Sequence, residues 1–450
     1  MKEMRTFLVI WVGQVVSLLG SGMSGFALGI WILQQTGSAT RFGLVLLCSV
    51  LPGILVSPFA GVVVDRMDRR RIMIFSDAAA AVGTAVVVVL MYRGGLEAWH
   101  VYLATAASAV YGAFQRPAYS ASVTVLVPKE QYGRASGMMQ AGQALSQIFA
   151  PLAAGGLVFA VGVPGVLLID LATFLVGVAT LLAVRIPSVR PEDGSDARGL
   201  PLWRDTRDGW AFIQRRPGLL GLLVVFAVLN LSLASFQAAL GPMVLGFASA
   251  AALGAVMTSA GVGMLAGSVA MGAWGGPRLR IHGIVGAGLV FAAALAAMGL
   301  RPSLPLVTVC VVATGFAFPI LAGCSQAIWQ VKTDPAIQGR VFSLRSAISN
   351  STVPVAYLAC GLLIDRLVAP LLARGGAAAH LLGVLVGDGP GRGAAVLMVA
   401  SGGVAAVAIL GAALLPRIRR VEHELPDMVK PTPAAPEPVE VGLALEVATA

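Results

Sequence analysis

Ionisable and hydrogen-bonding side chains are rare inside the long apolar runs of this chain, so each one there has to be accounted for by some chemistry. Asp170 sits about six residues inside one such run, where a carboxylate could carry a proton or serve as one partner of a structural pair. Arg116 lies near the end of another run, with Asp65 and Asp77 as the acids available to neutralise it. Such a cluster could hold a gate shut in one state and release it in another, or Arg116 could simply snorkel to the membrane interface. The remaining candidates are neutral: Gln14, Ser17, Ser21, Tyr111, Gln115, Gln143, Gln147, Asn230, Gln237, Gln326 and Asn350. Amides facing lipid are costly, so these should turn inward. Interleaved with Trp31, Phe114, Phe236, Phe318 and Met138, they suggest a roomy amphipathic chamber for a largely apolar small molecule.

Catalytic chemistry finds little support. Gly20-Ser-Gly22-Met-Ser-Gly25 has the spacing of a dinucleotide fingerprint but lies inside an uncharged run and follows no strand, which makes it a helix-packing element. No phosphate-binding G-x-x-x-x-G-K-[ST] loop occurs, and His100, His282, His380 and His423 lack metal-ligand spacing. Cys48, Cys310, Cys324 and Cys360 fall within apolar runs and behave as small apolar residues. The expectation is no enzyme, no metal and no cofactor.

The elements that must position these residues are membrane helices. With 57% apolar and 12% charged residues and a mean hydropathy of +0.86, the chain calls for lipid as its solvent. A spanning helix needs about 20 apolar residues. Such runs recur near 7–33, 42–64, 72–92, 100–122, 137–160, 164–184, 218–240, 250–274, 283–300, 304–328, 341–368 and 393–415. The ten-residue alternation of barrel strands is absent, and the first run is too long for a signal-peptide core. With both termini in the cytoplasm, all but six of the 31 Lys and Arg residues fall on the cytoplasmic side. The exceptions are Arg41, Arg93, Arg301, Arg366, Arg374 and Arg392. Basic loops beside anionic lipid also explain a net charge of +10 without nucleic acid.

The fold expected is all-α and integral to the membrane, with twelve transmembrane helices in two pseudo-symmetric six-helix bundles. The first bundle covers 1–184, a cytoplasmic linker 185–217, the second bundle 218–415, and a largely disordered tail 416–450. Gly133-Arg134 opens a span running through Pro151 to Gly155-Gly156, and Gly339-Arg340 opens one running through Pro354 to Gly361. Upstream of these stand Gly112 with Pro117 and Gly315 with Pro319, a parallel repeat of the kind found in secondary transporters.

Between the second and third runs stands Gly61-Val-Val-Val-Asp65-Arg66-Met-Asp68-Arg69-Arg70-Arg71. It resembles the signature loop of the major facilitator superfamily: a Gly, three residues, an acid, a base, any residue, a Gly and two bases. Gly61 would let helices approach, and Asp65 would meet the positive N-terminus of a neighbouring helix. Arg66, Arg69 and Arg70 would hold the loop against carboxylates or lipid phosphates. Asp68 replaces the second Gly, at a turn that a left-handed Asp tolerates. Asp170-Leu-Ala-Thr-Phe174, Gly209-Trp-Ala-Phe-Ile-Gln-Arg-Arg-Pro-Gly218, Gly339-Arg-Val-Phe-Ser343, Gly389-Pro-Gly-Arg-Gly393 and Arg420-Val-Glu-His-Glu-Leu-Pro-Asp427 resemble the branch of macrolide and enterobactin-type siderophore exporters.

The resemblance implies a carrier driven by the proton gradient, with the first, fourth, seventh and tenth helices lining a central cavity. Ala150-Pro151-Leu-Ala-Ala-Gly155-Gly156 departs from the export signature of the fifth span, which leaves direction open. The expected protein is a monomeric, multi-pass exporter of a drug, macrolide-like compound or siderophore in a bacterial inner membrane. The alternatives are an uptake permease, or a receptor or assembly factor that transports nothing.

Overall fold

The computed structural model describes residues 2–127, 132–184, 210–333, 337–373, 380, 383–384, 386–387 and 389–428, and every regular element among them is helical. Helices α1 (Lys2–Thr36), α2 (Ala39–Arg66), α3 (Arg69–Tyr92) and α4 (Ala98–Leu126) come first. The stretch Tyr132–Ala183 breaks at Gly162, whose φ of 70° and ψ of 176° suit only a residue without a side chain; its arms before and after the break are α5 and α6. Then follow α7 (Pro217–Leu245), α8 (Ala250–Trp274), α9 (Arg280–Leu300) and α10 (Leu304–Lys332). Helix α11 (Gln338–Leu362) continues through a π-helical turn, Leu363–Val368, into Ala369–Ala373. Helix α12 is Arg392–Leu414, and the short α13 (Pro416–Arg419) and α14 (Val421–Glu424) follow it. The linker residues 185–209 and tail residues 429–450 lie outside the described ones.

Ten helical stretches among the described residues are long and apolar enough to cross a membrane, with α5 and α6 sharing one of them. Helix α4 adds 29 residues of less apolar helix. Helices satisfy their own backbone groups, which makes them stable where no water can do so. Their outer faces are apolar: Phe159 is 92% exposed, an arrangement that suits lipid rather than water.

Within the first half of the chain α1 lies along α5 and α6, while α4 packs against α2 and α3. Within the second half α10 contacts α8 and α9, and α12 contacts α7 and α9. Two seams join the halves: α2 with α11, and α5 with α8. Both are built on glycine. A Cβ at Gly43 would lie 2.5 Å from the Tyr357 carbonyl oxygen, and one at Gly361 2.5 Å from Thr40 Cα. Across the other seam Gly155 meets the backbone of Ala250, and Gly254 meets that of Pro151. The Ala150–Gly156 motif is therefore, in this fold, a close-packing surface for α8.

Both seams lie toward one face of the molecule, where α1 hands over to α2 and α7 to α8. Phe42 seals the same region, with its ring wedged between Gly29 of α1 and Gly241 of α7.

Candidate functional site

Toward the opposite face, where the chain begins, the polar residues of the first half converge. Asp77 stands eight residues into α3, about 12 Å along it, and is 1% exposed. Its Oδ1 accepts from Gln115 Nε2 at 2.6 Å and its Oδ2 from Gln14 Nε2 at 3.2 Å. Gln115 Nε2 also donates to Gln14 Oε1 at 3.0 Å, closing a three-membered network across α1, α3 and α4. Both glutamines are half-buried. Beside them Tyr111 meets Phe75 edge to face, ring centroids 6.4 Å apart.

Of the two acids expected to pair with Arg116, Asp77 is thus taken by the glutamines, and the Asp65 side chain lies outside the described ones. One residue advances a helix by about 100°, so Gln115 turns toward Asp77 while Arg116 is turned from it and is exposed. Ser17, expected to line a chamber, is instead buried where α1 crosses α6, its Cβ 3.3 Å from where a Gly177 side chain would begin. Gly20 and Gly22 of the glycine-rich segment pack against Thr173 and Ala150.

Asp170 is also 1% exposed, on α6. A Cβ at Gly20 would lie 2.7 Å from its Oδ1, and Thr173 Oγ1 stands 3.5 Å from the same oxygen. Its surroundings are hydroxyls and close helix packing, with no amide partner among the described residues.

In the second half Arg345 of α11 donates from Nη1 to Gln326 Oε1 of α10 at 2.9 Å and lies over the Trp329 ring, 5.3 Å from its centroid. Gln237 accepts from the Tyr357 hydroxyl at 2.5 Å, tying α7 to α11. Asn350 donates to Ser346 Oγ at 3.0 Å within α11. Asn230 is half-buried, whereas Ser21, Gln143, Gln147, Gln237 and Asn350 are exposed.

Of the signature loop, Gly61, Asp65 and Arg66 belong to α2, with side chains outside the described ones. Asp68 does not adopt the left-handed turn expected of it. Its φ of −62° and ψ of 116° are extended, and its carboxylate caps α3 by accepting from Arg71 N at 3.1 Å. Arg69 opens α3 half-buried. Arg70 donates from Nε and Nη2 to the carbonyls of Leu181 and Leu182 at 2.8 and 2.9 Å, closing the C-terminal end of α6.

One acid went unnoticed in the sequence, and the tail motif was noticed without its contacts. Asp365, in the π-helical turn after α11, accepts from Ser38 Oγ, Ala39 N and Thr40 N at 2.6, 3.1 and 2.8 Å, thereby capping α2 from the other half of the chain. An acid inside the apolar run of the eleventh span was the available signal. The segment after α12 folds back over the second half. Glu422 accepts from Arg280 N and Ile281 N at 3.0 and 2.9 Å, and buried Lys332 pairs with Asp427 at 2.6 Å.

The sequence profile of the Major Facilitator Superfamily matches residues 10–357. Macrolide efflux protein A of Streptococcus pyogenes is 29% identical over 367 residues, covering 80% of this chain and 90% of that protein. Multidrug efflux pump Tap of Mycolicibacterium fortuitum is 24% identical, covering 77% and 86%. Among solved structures, a bacterial homologue of the human lysosomal transporter Spinster aligns with a TM-score of 0.66 at 14% identity, covering 94% of this chain and 97% of that one. The nucleoside transporter NupG aligns at 0.68 and 11%, covering 90% and 99%. With a profile match over most of its length and an all-helical, glycine-seamed fold, the chain belongs to the Major Facilitator Superfamily and is a multi-pass membrane transporter rather than an enzyme.

Proposed function

We propose that the chain is a proton-driven exporter of a small amphipathic molecule, of macrolide-like, drug or siderophore type, working by alternating access. In this reading twelve spans form two six-helix bundles, 1–184 and 218–415. The protein sits as a monomer in a bacterial inner membrane with both termini in the cytoplasm. The skewed Lys and Arg distribution supports that orientation. Efflux-named relatives from Streptococcus and Mycolicibacterium support export over uptake.

One observation carries the reading. The halves are zipped together at one face by the α2–α11 and α5–α8 seams, while half-buried amides from both halves, Gln14, Gln115 and Gln326, stand toward the other. A molecule sealed at one end and polar toward the other is a carrier caught in one of its two access states. In the proposed orientation the sealed face is periplasmic, and the amides face a path from the cytoplasm. Few fixed charges and half-buried amides among apolar helices suit a solute that is mostly apolar with a handful of hydrogen-bonding groups.

Everted membrane vesicles test this. Export predicts that an imposed proton gradient drives radiolabelled erythromycin into everted vesicles and that a protonophore abolishes the accumulation. Accumulation confined to right-side-out vesicles would make the protein an uptake permease. Binding without movement in either preparation would make it a receptor.

A further inference from the structure

We infer that Asp77 is the carboxylate whose protonation drives transport, and that Gln14 and Gln115 relay its state to the solute. The inference deepens the proton-driven reading above and rests on it.

Geometry separates the two buried carboxylates of the first half. Asp170 is packed against Gly20 and surrounded by the hydroxyls of Ser24 of α1, Thr84 of α3 and Thr173 of its own helix. Asp77 is equally enclosed, but both of its hydrogen-bonding partners are half-buried side chains from other helices. It therefore stands one hydrogen bond away from the half-buried amides of the open side, whereas Asp170 stands among the hydroxyls of Ser24, Thr84 and Thr173, about 12 Å along α6 from the Gly162 break at the sealed face. An ionised carboxylate removed from water loses its hydration, and two amide dipoles replace only part of it. Among the described residues, the charged groups on the helices packed around it are engaged elsewhere or remote. Arg70, two turns down α3, donates to the α6 carbonyls; Arg116 of α4 is exposed; Asp170 lies two turns along α6 from Gly177, the residue facing Asp77.

The observed pattern is that of an ionised acid: both oxygens accept, and Nε2 of each glutamine is committed. Protonation turns one carboxyl oxygen into a donor, which then needs an acceptor. Gln14 Oε1 or Gln115 Oε1 is at hand, but accepting requires that amide to rotate and the Gln115 to Gln14 bond to break. The ties among α1, α3 and α4 change with a single proton, and amide N–H groups are released to a solute. The reverse step returns the proton from the carboxyl oxygen to water and recommits the amides to Asp77. Solute and proton thereby alter each other's binding, as exchange requires.

The test uses the full chain in liposomes. Asp77→Asn is close to isosteric, and a flipped glutamine amide can satisfy it. We expect it to lose gradient-driven erythromycin accumulation by roughly ten- to a hundredfold while keeping counterflow exchange, and Asp77→Glu to restore driven transport with a displaced pH profile. Asp170→Asn should keep driven transport. Independently of any solute, infrared pH-difference spectra should show a carboxylic acid C=O band that disappears in Asp77→Asn and persists in Asp170→Asn. Driven accumulation undiminished in Asp77→Asn, or an unchanged band there, overturns the inference. Wild-type accumulation indifferent to the proton gradient would instead overturn the proton-driven reading, and the inference would fall with it.

Discussion

The Ser38 hydroxyl of one half donates to the Asp365 carboxylate of the other at 2.6 Å while accepting from Arg41 N at 3.2 Å. Helix α2 is thus capped twice at its N-terminus, once by its own serine and once by an acid 327 positions away in sequence. The carboxylate also meets the positive end of the α2 dipole. This contact has to break whenever the sealed face opens, so Asp365→Ala should favour the open state. Charge-assisted hydrogen bonds contribute about 1.5 to 3 kcal/mol, which amounts to a shift of roughly tenfold or more in the ratio of states. Spin labels at positions 41 and 366 would read it as a longer distance in the variant; an unchanged distance distribution would contradict it.

The glycine seam gives a second prediction. A side chain at Gly361 would run into Thr40 Cα, so Gly361→Val cannot keep α2 and α11 at their present separation. Cys360 is a native reporter beside it, 3% exposed and packed with Tyr357, Leu46 and Leu47. Its maleimide labelling should rise in the variant and fall when the seam is locked by a cross-link. Labelling equal to wild type would show the close approach to be dispensable.

At the signature loop, Asp68 acts as a helix cap and not as a left-handed turn residue. Asp68→Asn and Asp68→Gly should therefore be nearly neutral, since both are acceptable caps, while Asp68→Ala should cost about 1 kcal/mol. Thermal unfolding in detergent orders the three. A loss common to all would point to the negative charge itself.

The tail contacts predict stability effects confined to the second half. Glu422→Ala leaves the first two N–H groups of α9 uncapped and should cost about 1 kcal/mol, and Lys332→Met should remove the pair between buried Lys332 and exposed Asp427. Hydrogen exchange should quicken at the α9 and α10 ends while α1 to α4 remain as protected as before.

Apolar runs made the helices legible, because run length and charge spacing are local properties. The gap between the runs 137–160 and 164–184 likewise falls on the break at Gly162 between α5 and α6. The candidate site was legible in its members and not in its pairings. Asp77, Gln14 and Gln115 each stood out as polar residues in apolar runs, yet Asp77 was considered, with Asp65, as a partner of Arg116 and not of the amides. One position of helical phase separates the amide that faces inward from the guanidinium that faces out. Asp365 escaped notice because its partners are the backbone N–H groups of a distant helix, which no side-chain pattern announces. The tail motif drew attention through its resemblance to exporters, but its work, capping α9 and pairing with Lys332, depends on tertiary placement.

The segment from Pro416 to Met428 is stitched solely to the second half among the described contacts: Ile418 fills the space beside Gly221, the Arg417 carbonyl lies over Gly218, and Met428 N donates to the Val331 carbonyl at 2.9 Å. A fluorophore attached at position 428 would accordingly ride as a rigid passenger on α7, α9 and α10. Paired with a dye on α1, it would follow the rocking of one half against the other without labelling any residue of the transport path.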